Sequence, residues 1–339
     1  MLLGLRVPRL ATATRQLRNF STHRPAMSQL RIGFVPEHFS TPLAFAKKHY
    51  DLQAKLLPFP SGTGHMVTAL QSGEIDIAVG LTEGWVAAMG KAQEAQKDAG
   101  FKVVGTYVET PLCWAISTGA RREEINSVKD LKGKTVGVSR IGSGSYVMSF
   151  VLADQEGWLD PGSGSPFPVE PLNTFSNLRE GVNNGTADFF MWEHFTSKKY
   201  YDNGEIKRIG EIYTPWSSWK IVAKNDLITP ANWSKTENAS QPPVKDDLKD
   251  VLDKINKGVK RFEENQEEAV EYIYTHLDYS EEDAREWLKT VRFAQDVRGV
   301  DKTVIDKTVQ ILQKAGVLQN KVDEEAMIGL ARSEAVKWV

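Results

Sequence analysis

Leu70-Gln71-Ser72-Gly73-Glu74-Ile75-Asp76-Ile77-Ala78-Val79 and Val182-Asn183-Asn184-Gly185-Thr186-Ala187-Asp188-Phe189-Phe190-Met191 obey one pattern, 112 residues apart. Each reads apolar-x-x-Gly-x-x-Asp and then three apolar residues. Glycine suits the left-handed position that ends a helix, and an apolar trio suits a strand buried on both faces. The pattern therefore predicts a helix stopped at Gly73 or Gly185 and a buried strand just beyond it.

Each copy follows a strand, a loop and a helix. In the first, Leu30–Val35 is the strand, Pro36–Pro42 the loop and Leu43–Lys48 a helix start. In the second, Thr135–Ser139, Arg140–Ser145 and Tyr146–Glu156 play those parts. Alternation of strands and helices implies βαβ units and mostly parallel sheet. Two copies imply two sheets and two lobes in an α/β fold.

The C-terminal third reads as helices. Leu248, Val251, Leu252, Ile255, Val259 and Phe262 follow helical spacing. Ser280-Glu281-Glu282-Asp283 is a capping box for a second helix, and Val304–Ala315 forms a third that Gly316 stops. Residues 225–245, with Pro230, Pro242 and Pro243, read as an irregular connection.

Composition excludes several classes. With 41% apolar and 25% charged residues the 339-residue chain is ordinary globular material. No apolar run reaches the ~18 residues of a membrane span. A formal charge of −2 offers no basic field for nucleic acid. Cys113 is the single cysteine, so no intramolecular disulfide or cysteine-rich metal site is expected.

Charge is concentrated at one end. Residues 1–26 carry Arg6, Arg9, Arg15, Arg18 and Arg24, and the first acid is Glu37. Leucines between those arginines, without an unbroken apolar stretch, fit a mitochondrial transit peptide, and a matrix location is the expectation. Arg18-Asn19-Phe20-Ser21 is similar to the motif at which such leaders are processed. Met27 offers a second start, which would give a cytosolic form.

Arg31-Ile32-Gly33-Phe34-Val35, the segment Leu70–Val79, and the run Ile125–Val138 (INSVKDLKGKTVGV) together resemble the type II periplasmic solute-binding proteins. The branch resembled holds the alkanesulfonate- and taurine-binding proteins and the fungal thiamine-pyrimidine synthases, and an uncharacterised fungal subgroup is most similar. The likeness runs from Leu30 to about residue 315. It implies a two-lobed fold with extra C-terminal helices, in which the chain crosses between lobes near Pro111–Trp114 and Trp219–Ala223. Residues 27–112 and 221–339 would then form the first lobe and 113–220 the second.

Ligands of parallel α/β sheets sit beyond the carboxyl ends of strands, where loops meet helix N-termini. Ser139-Arg140-Ile141-Gly142-Ser143-Gly144-Ser145 is such a loop. Its glycines admit a ligand to backbone N–H groups, its hydroxyls add donors and Arg140 adds a charge, so it suits a carboxylate, phosphate or sulfonate. The same residues would also serve a capped helix beside a solvated loop. Ser61-Gly62-Thr63-Gly64-His65 is the matching loop of the first lobe, where His65 either donates to a ligand or caps a helix. Thr82 and Glu83 end one strand, Trp192 and Glu193 another, and these carboxylates suit a ligand amine. Trp192, Trp216 and Trp219 either wall the cleft or belong to the core. By the resemblance, Glu37, His38 and Phe39 in the first strand-to-helix loop also touch ligand.

A binding protein without cofactor or metal, closing on a small polar anion, is the first functional expectation. The alternative is an enzyme related to the thiamine-pyrimidine synthases, which the resemblance credits with a lysine-bound pyridoxal phosphate, a consumed histidine and a cysteine-rich iron motif. Aligned from Asp76, the lysine position falls on Gly80 and the histidine position on Gly84, and Cys113 stands alone. Without an amine no Schiff base forms at that position. A transcription regulator would need a helix-turn-helix or a basic face, and neither is visible. A transporter's receptor would need a membrane partner.

Overall fold

A computed structural model describes residues 29–159, 165–228 and 245–335; the basic leader lies outside the described residues. The chain builds β1 (Arg31–Phe34), α1 (Thr41–His49), β2 (Lys55–Pro58), α2 (Thr63–Ser72), β3 (Ile77–Leu81), α3 (Thr82–Glu94) and β4 (Phe101–Val108). It then crosses to a second lobe. There it forms β5 (Cys113–Gly119), β6 (Val136–Val138), α4 (Gly144–Gln155), β7 (Val169–Pro171), α5 (Phe175–Asn184), β8 (Phe189–Glu193), α6 (His194–Asp202) and β9 (Ile206–Tyr213). It returns as β10 (Trp219–Lys224).

The sheets run β2-β1-β3-β10-β4 and β7-β6-β8-β5-β9. In each, one strand opposes the other four: β10 in the first lobe and β5 in the second. These inverted strands are the ones that follow a crossing, so each lobe receives its odd strand from the chain arriving out of the other.

The repeated motif does the same work twice. Gly73 and Gly185 end α2 and α5 with φ of 75° and 85°, a region L-residues with side chains rarely adopt. Asp76 then accepts from the backbone N–H of Arg31 at 2.9 Å, and Asp188 from that of Thr135 at 2.7 Å. Each aspartate thus fixes its strand against the start of the parallel strand beside it, β1 in the first lobe and β6 in the second. Arg31 adds a bidentate pair to Asp76, and Arg122 binds Asp188.

Two helix starts come earlier than expected. α1 begins at Thr41 rather than Leu43, with Pro42 in its first turn, where a missing N–H is not needed. A short turn, His38–Ser40, precedes it. α4 begins at Gly144 because Ser143 is its N-cap, accepting from Tyr146 N at 3.3 Å.

The return crossing also shifts. Trp219 pairs with Leu81 and Ala223 with Ile77, so Trp219–Ala223 are strand residues of the first lobe. The crossing occupies residues 214–218, and the first lobe resumes at Trp219 rather than at 221. The two crossings are tied together: Leu112 N donates to Thr214 Oγ1 (2.9 Å) and Ser218 Oγ to Thr110 O (2.7 Å).

The C-terminal helices are α7 (Asn225–Ile228), α8 (Asp246–Glu264), α9 (Gln266–His276), α10 (Glu281–Leu288) and α11 (Lys302–Lys314). α7 opens the segment expected to be irregular; residues 229–244 of it lie outside the described residues. All six apolar residues of the α8 stripe are buried. Ser280 caps α10 through Asp283 N at 3.0 Å, and Gly316, at φ 78°, follows α11. α11 packs on α3 and α4, and Lys314 reaches Asp154 at 2.8 Å, so the tail of the first lobe touches the second. Among the described residues no helix is long and apolar enough to cross a membrane.

Candidate functional site

The carboxyl ends of β1, β3, β6 and β8 converge where the lobes meet, around a partly open cavity of about 30 Å³. The first lobe contributes Glu37, Thr63, Leu81 and Trp219; the crossing contributes Leu112, and β5 just beyond it Trp114. Ser139, Ser143, Gly144, Ser145, Trp192 and Glu193 come from the second lobe. The space suits a water-sized group.

One wall is the start of α4. Ser143 and Ser145 hydroxyls lie 3.0 Å apart, and Ser145 Oγ accepts from Ser139 N at 3.3 Å. A twelve-residue helix presents partial positive charge here. Gly144 is required for the lobes to approach: a Cβ there would stand 2.6 Å from Leu81 Cδ1 and 3.1 Å from Glu83 Oε1.

Facing that wall are buried carboxyl groups. Glu37 Oε1 accepts from the indole of Trp192 at 3.0 Å. Glu83 Oε2 accepts from the indole of Trp216 at 2.8 Å, while its Oε1 has no hydrogen-bond partner among the described residues. Glu193 accepts from Thr196 N at 2.6 Å. Burial pushes Glu37 and Glu83 up to about 7 and Glu193 up to about 8, the last helped by the charge of Glu37. The buried indole N–H groups of Trp114 and Trp219 are likewise unpartnered.

His38 is fully buried, stacked between Tyr279 (4.4 Å) and Trp287 (4.1 Å). Burial holds it well below its ordinary value, so its 3.5 Å approach to Glu193 is between neutral groups at pH 7 rather than an ion pair.

Of the residues singled out from sequence, Glu37, Gly62, Thr63, Ser139, Ser143, Gly144, Ser145, Trp192, Glu193 and Trp219 line the cavity, with Glu83 behind Gly144. The others stand elsewhere. Phe39 packs on Trp219 (4.9 Å) in the core with His38, and Thr82 Oγ1 donates to Ser217 O (2.6 Å), bracing the crossing. Gly64 faces Ser143 and Arg140 where the lobe rims meet. His65 packs on Phe59 at 4.9 Å, and burial and Arg140 lower its affinity for a proton. Ser61 and Gly142 do not line the cavity, and Gly142 takes φ 83° in the loop before α4. Leu81, Leu112 and Trp114 escaped the sequence reading; their signal was position alone, at a strand end and at the crossing.

Gly80 and Gly84 are closely packed. A Cβ on Gly80 would stand 2.6 Å from Trp85 Cζ2 and 2.9 Å from Thr63 Oγ1, and one on Gly84 2.7 Å from Thr63 Cγ2. No side chain of lysine or histidine fits at either without rearrangement.

Two crossings, two like-ordered sheets and a cavity between them define a periplasmic-binding-protein fold. Residues 114–212 match the family model described as Ca3427-like PBP. A solved structure of the Candida albicans CA3427 gene product, described as defining a new family with the generic periplasmic binding protein fold, is 42% identical. The match covers 87% of this chain and 92% of that one, with a TM-score of 0.75. The chain belongs to this Ca3427-like family. The alkanesulfonate-binding protein SsuA of Xanthomonas axonopodis pv. citri, bound to MOPS, shares the fold at 17% identity (87% and 95% covered, TM-score 0.66). SsuA of Escherichia coli, an aliphatic sulphonate binding protein, does so at 18% (88% and 91%, TM-score 0.60). A sequence search of curated proteins finds no match.

Proposed function

We propose that the protein is a receptor or carrier that closes its lobes on a small ligand with an anionic group at one end and an amine or other donor at the other. One observation carries this reading: across Gly144, the serine-bearing start of α4 faces Glu83, whose buried Oε1 lacks a partner among the described residues. The hydroxyls and helix end suit a sulfonate, phosphate or carboxylate, and the carboxyl oxygen suits a donor. The solved SsuA proteins, whose names state sulfonate ligands, support the anionic half. A ligand touching both lobes favours the closed form by its differential contacts.

The enzymatic alternative is disfavoured by the chemistry missing at Gly80 and Gly84, and the two SsuA neighbours are named as binding proteins. Delivery to the mitochondrial matrix by residues 1–26 is part of the proposal; a reporter fused to them should enter mitochondria, and one fused from Met27 should stay cytosolic.

Calorimetric titration tests the ligand reading with 2-aminoethanesulfonate, ethanesulfonate and their carboxylate and phosphonate counterparts. Ser143→Ala with Ser145→Ala should weaken every anion, by about 0.5–3 kcal/mol per lost bond. Glu83→Gln should weaken only the amine-bearing members. Unchanged affinity in Ser143→Pro, which deletes an N–H at the helix start, would overturn the reading.

A further inference from the structure

A second cavity, of about 240 Å³, lies between the lobes on the far side of Glu193 and Leu112, which wall both. The first lobe supplies Phe39, Trp287, Thr290 and Val291 to it, the crossing supplies Thr110 to Cys113, and the second lobe supplies His194, Phe195, Arg208 and Glu211. None of the binding chemistry described above uses it. We propose that this chamber is a separate binding site for a small carboxylate with an apolar body, and that its occupant biases the angle between the lobes.

Phe39, Leu112, Phe195, Trp287 and Val291 give the wall an apolar part, which fits a compact ring or branched chain. The polar equipment is gathered on the second lobe. Arg208 makes a close pair with Glu211 through one nitrogen of a guanidinium that carries five N–H donors. His194, beside it, has a buried Nδ1 with no hydrogen-bond partner among the described residues. A carboxylate bridging the two would satisfy that nitrogen and take Arg208 from Glu211 in bidentate fashion. Glu193, raised to about 8 by burial, is mostly neutral at pH 7 and does not repel it. Because the occupant touches Trp287 and Thr290 on one lobe and Arg208 and His194 on the other, its affinity must differ between open and closed forms.

Cys113 lines the chamber and is the chain's one cysteine; burial pushes its thiol up to about 12 and its Sγ donates to Glu211 Oε2 at 3.6 Å, so alkylation is slow and occupancy is read, for each variant, as the ratio of its own rates with and without probe. The test follows iodoacetamide modification by intact mass at mildly alkaline pH, with phenylacetate as probe and benzyl alcohol as its uncharged control. Phenylacetate should slow modification at millimolar concentration, and benzyl alcohol should do so less. Arg208→Gln should weaken protection by about tenfold or more, and Glu211→Gln should strengthen it by removing the competitor. Thr290→Phe, which fills the space, should abolish it. Ser143→Ala with Ser145→Ala should leave it unchanged, so failure here and failure of the α4 site are read separately. Protection absent at every concentration, or protection that survives Arg208→Gln, would overturn the proposal.

Discussion

The indole N–H of Trp192, at the end of β8, donates to the carboxyl of Glu37, at the end of β1, over 3.0 Å. It is a direct bond from one lobe to the other, and both partners are buried. Trp192→Phe would keep the ring's stacking on Phe175 and remove the indole donor from Glu37. The expected cost is about 1–3 kcal/mol to the closed form, seen as a larger radius of gyration in small-angle scattering and a lower urea midpoint.

Glu37, Glu83 and Glu193 give that closed interface a pH dependence. Their ordinary value is 4.5, and burial raises them to about 7, 7 and 8. Between 4.5 and those values the folded chain holds more protons than the unfolded one, so stability falls as pH rises. His38 has the opposite sign, since its lowered affinity withdraws stability as pH falls through 6.5. In the difference between wild type and Glu37→Gln/Glu193→Gln, the His38 contribution cancels. That difference should favour wild type near pH 5 and decline toward pH 8, roughly, by urea unfolding at each pH. A flat difference would show that the two carboxyls are solvated.

Lys220 is fully buried on β10, opposite Gly80, and its Nζ donates to Ser217 Oγ at 2.6 Å in the return crossing. Burial lowers it from 10.5 to about 7. Between those values the unfolded chain binds the extra proton, so this residue makes stability rise with pH. Lys220→Met conserves much of the volume and removes the titration. The variant should gain on wild type at pH 6 relative to pH 9, about as a single-proton slope, in thermal melts.

Gly258 lies in α8 against α1. A Cβ there would stand 2.1 Å from Pro42 O and 2.9 Å from Ala46 N, both backbone atoms that cannot swing aside. On an exposed helix glycine to alanine gains up to about 1 kcal/mol. Here the clash decides the sign, and Gly258→Ala should destabilise by about 1–3 kcal/mol, checked by chemical denaturation.

Sequence alone determined the two-lobed architecture. A helix stop at Gly73 and Gly185, followed by Asp and an apolar trio, is a local instruction, since φ above zero and burial on both faces are written in the residue types themselves. The α8 stripe and the Ser280 cap were legible for the same reason, and so were the loops before α2 and α4, because strand ends and helix starts fix where ligand loops fall. What Asp76 and Asp188 hold was not legible: their partners, Arg31 and Thr135, are 45 and 53 residues away. Nor was the choice among the candidate histidines, glutamates and tryptophans. His38 and Glu37 are neighbours in sequence, yet one is stacked between Tyr279 and Trp287 and the other bonds across the lobes to Trp192. The fate of such a side chain depends on which distant surface packs over it: for His38 that is the C-terminal segment of its own lobe, for Glu37 it is the other lobe, and only the tertiary structure brings either there.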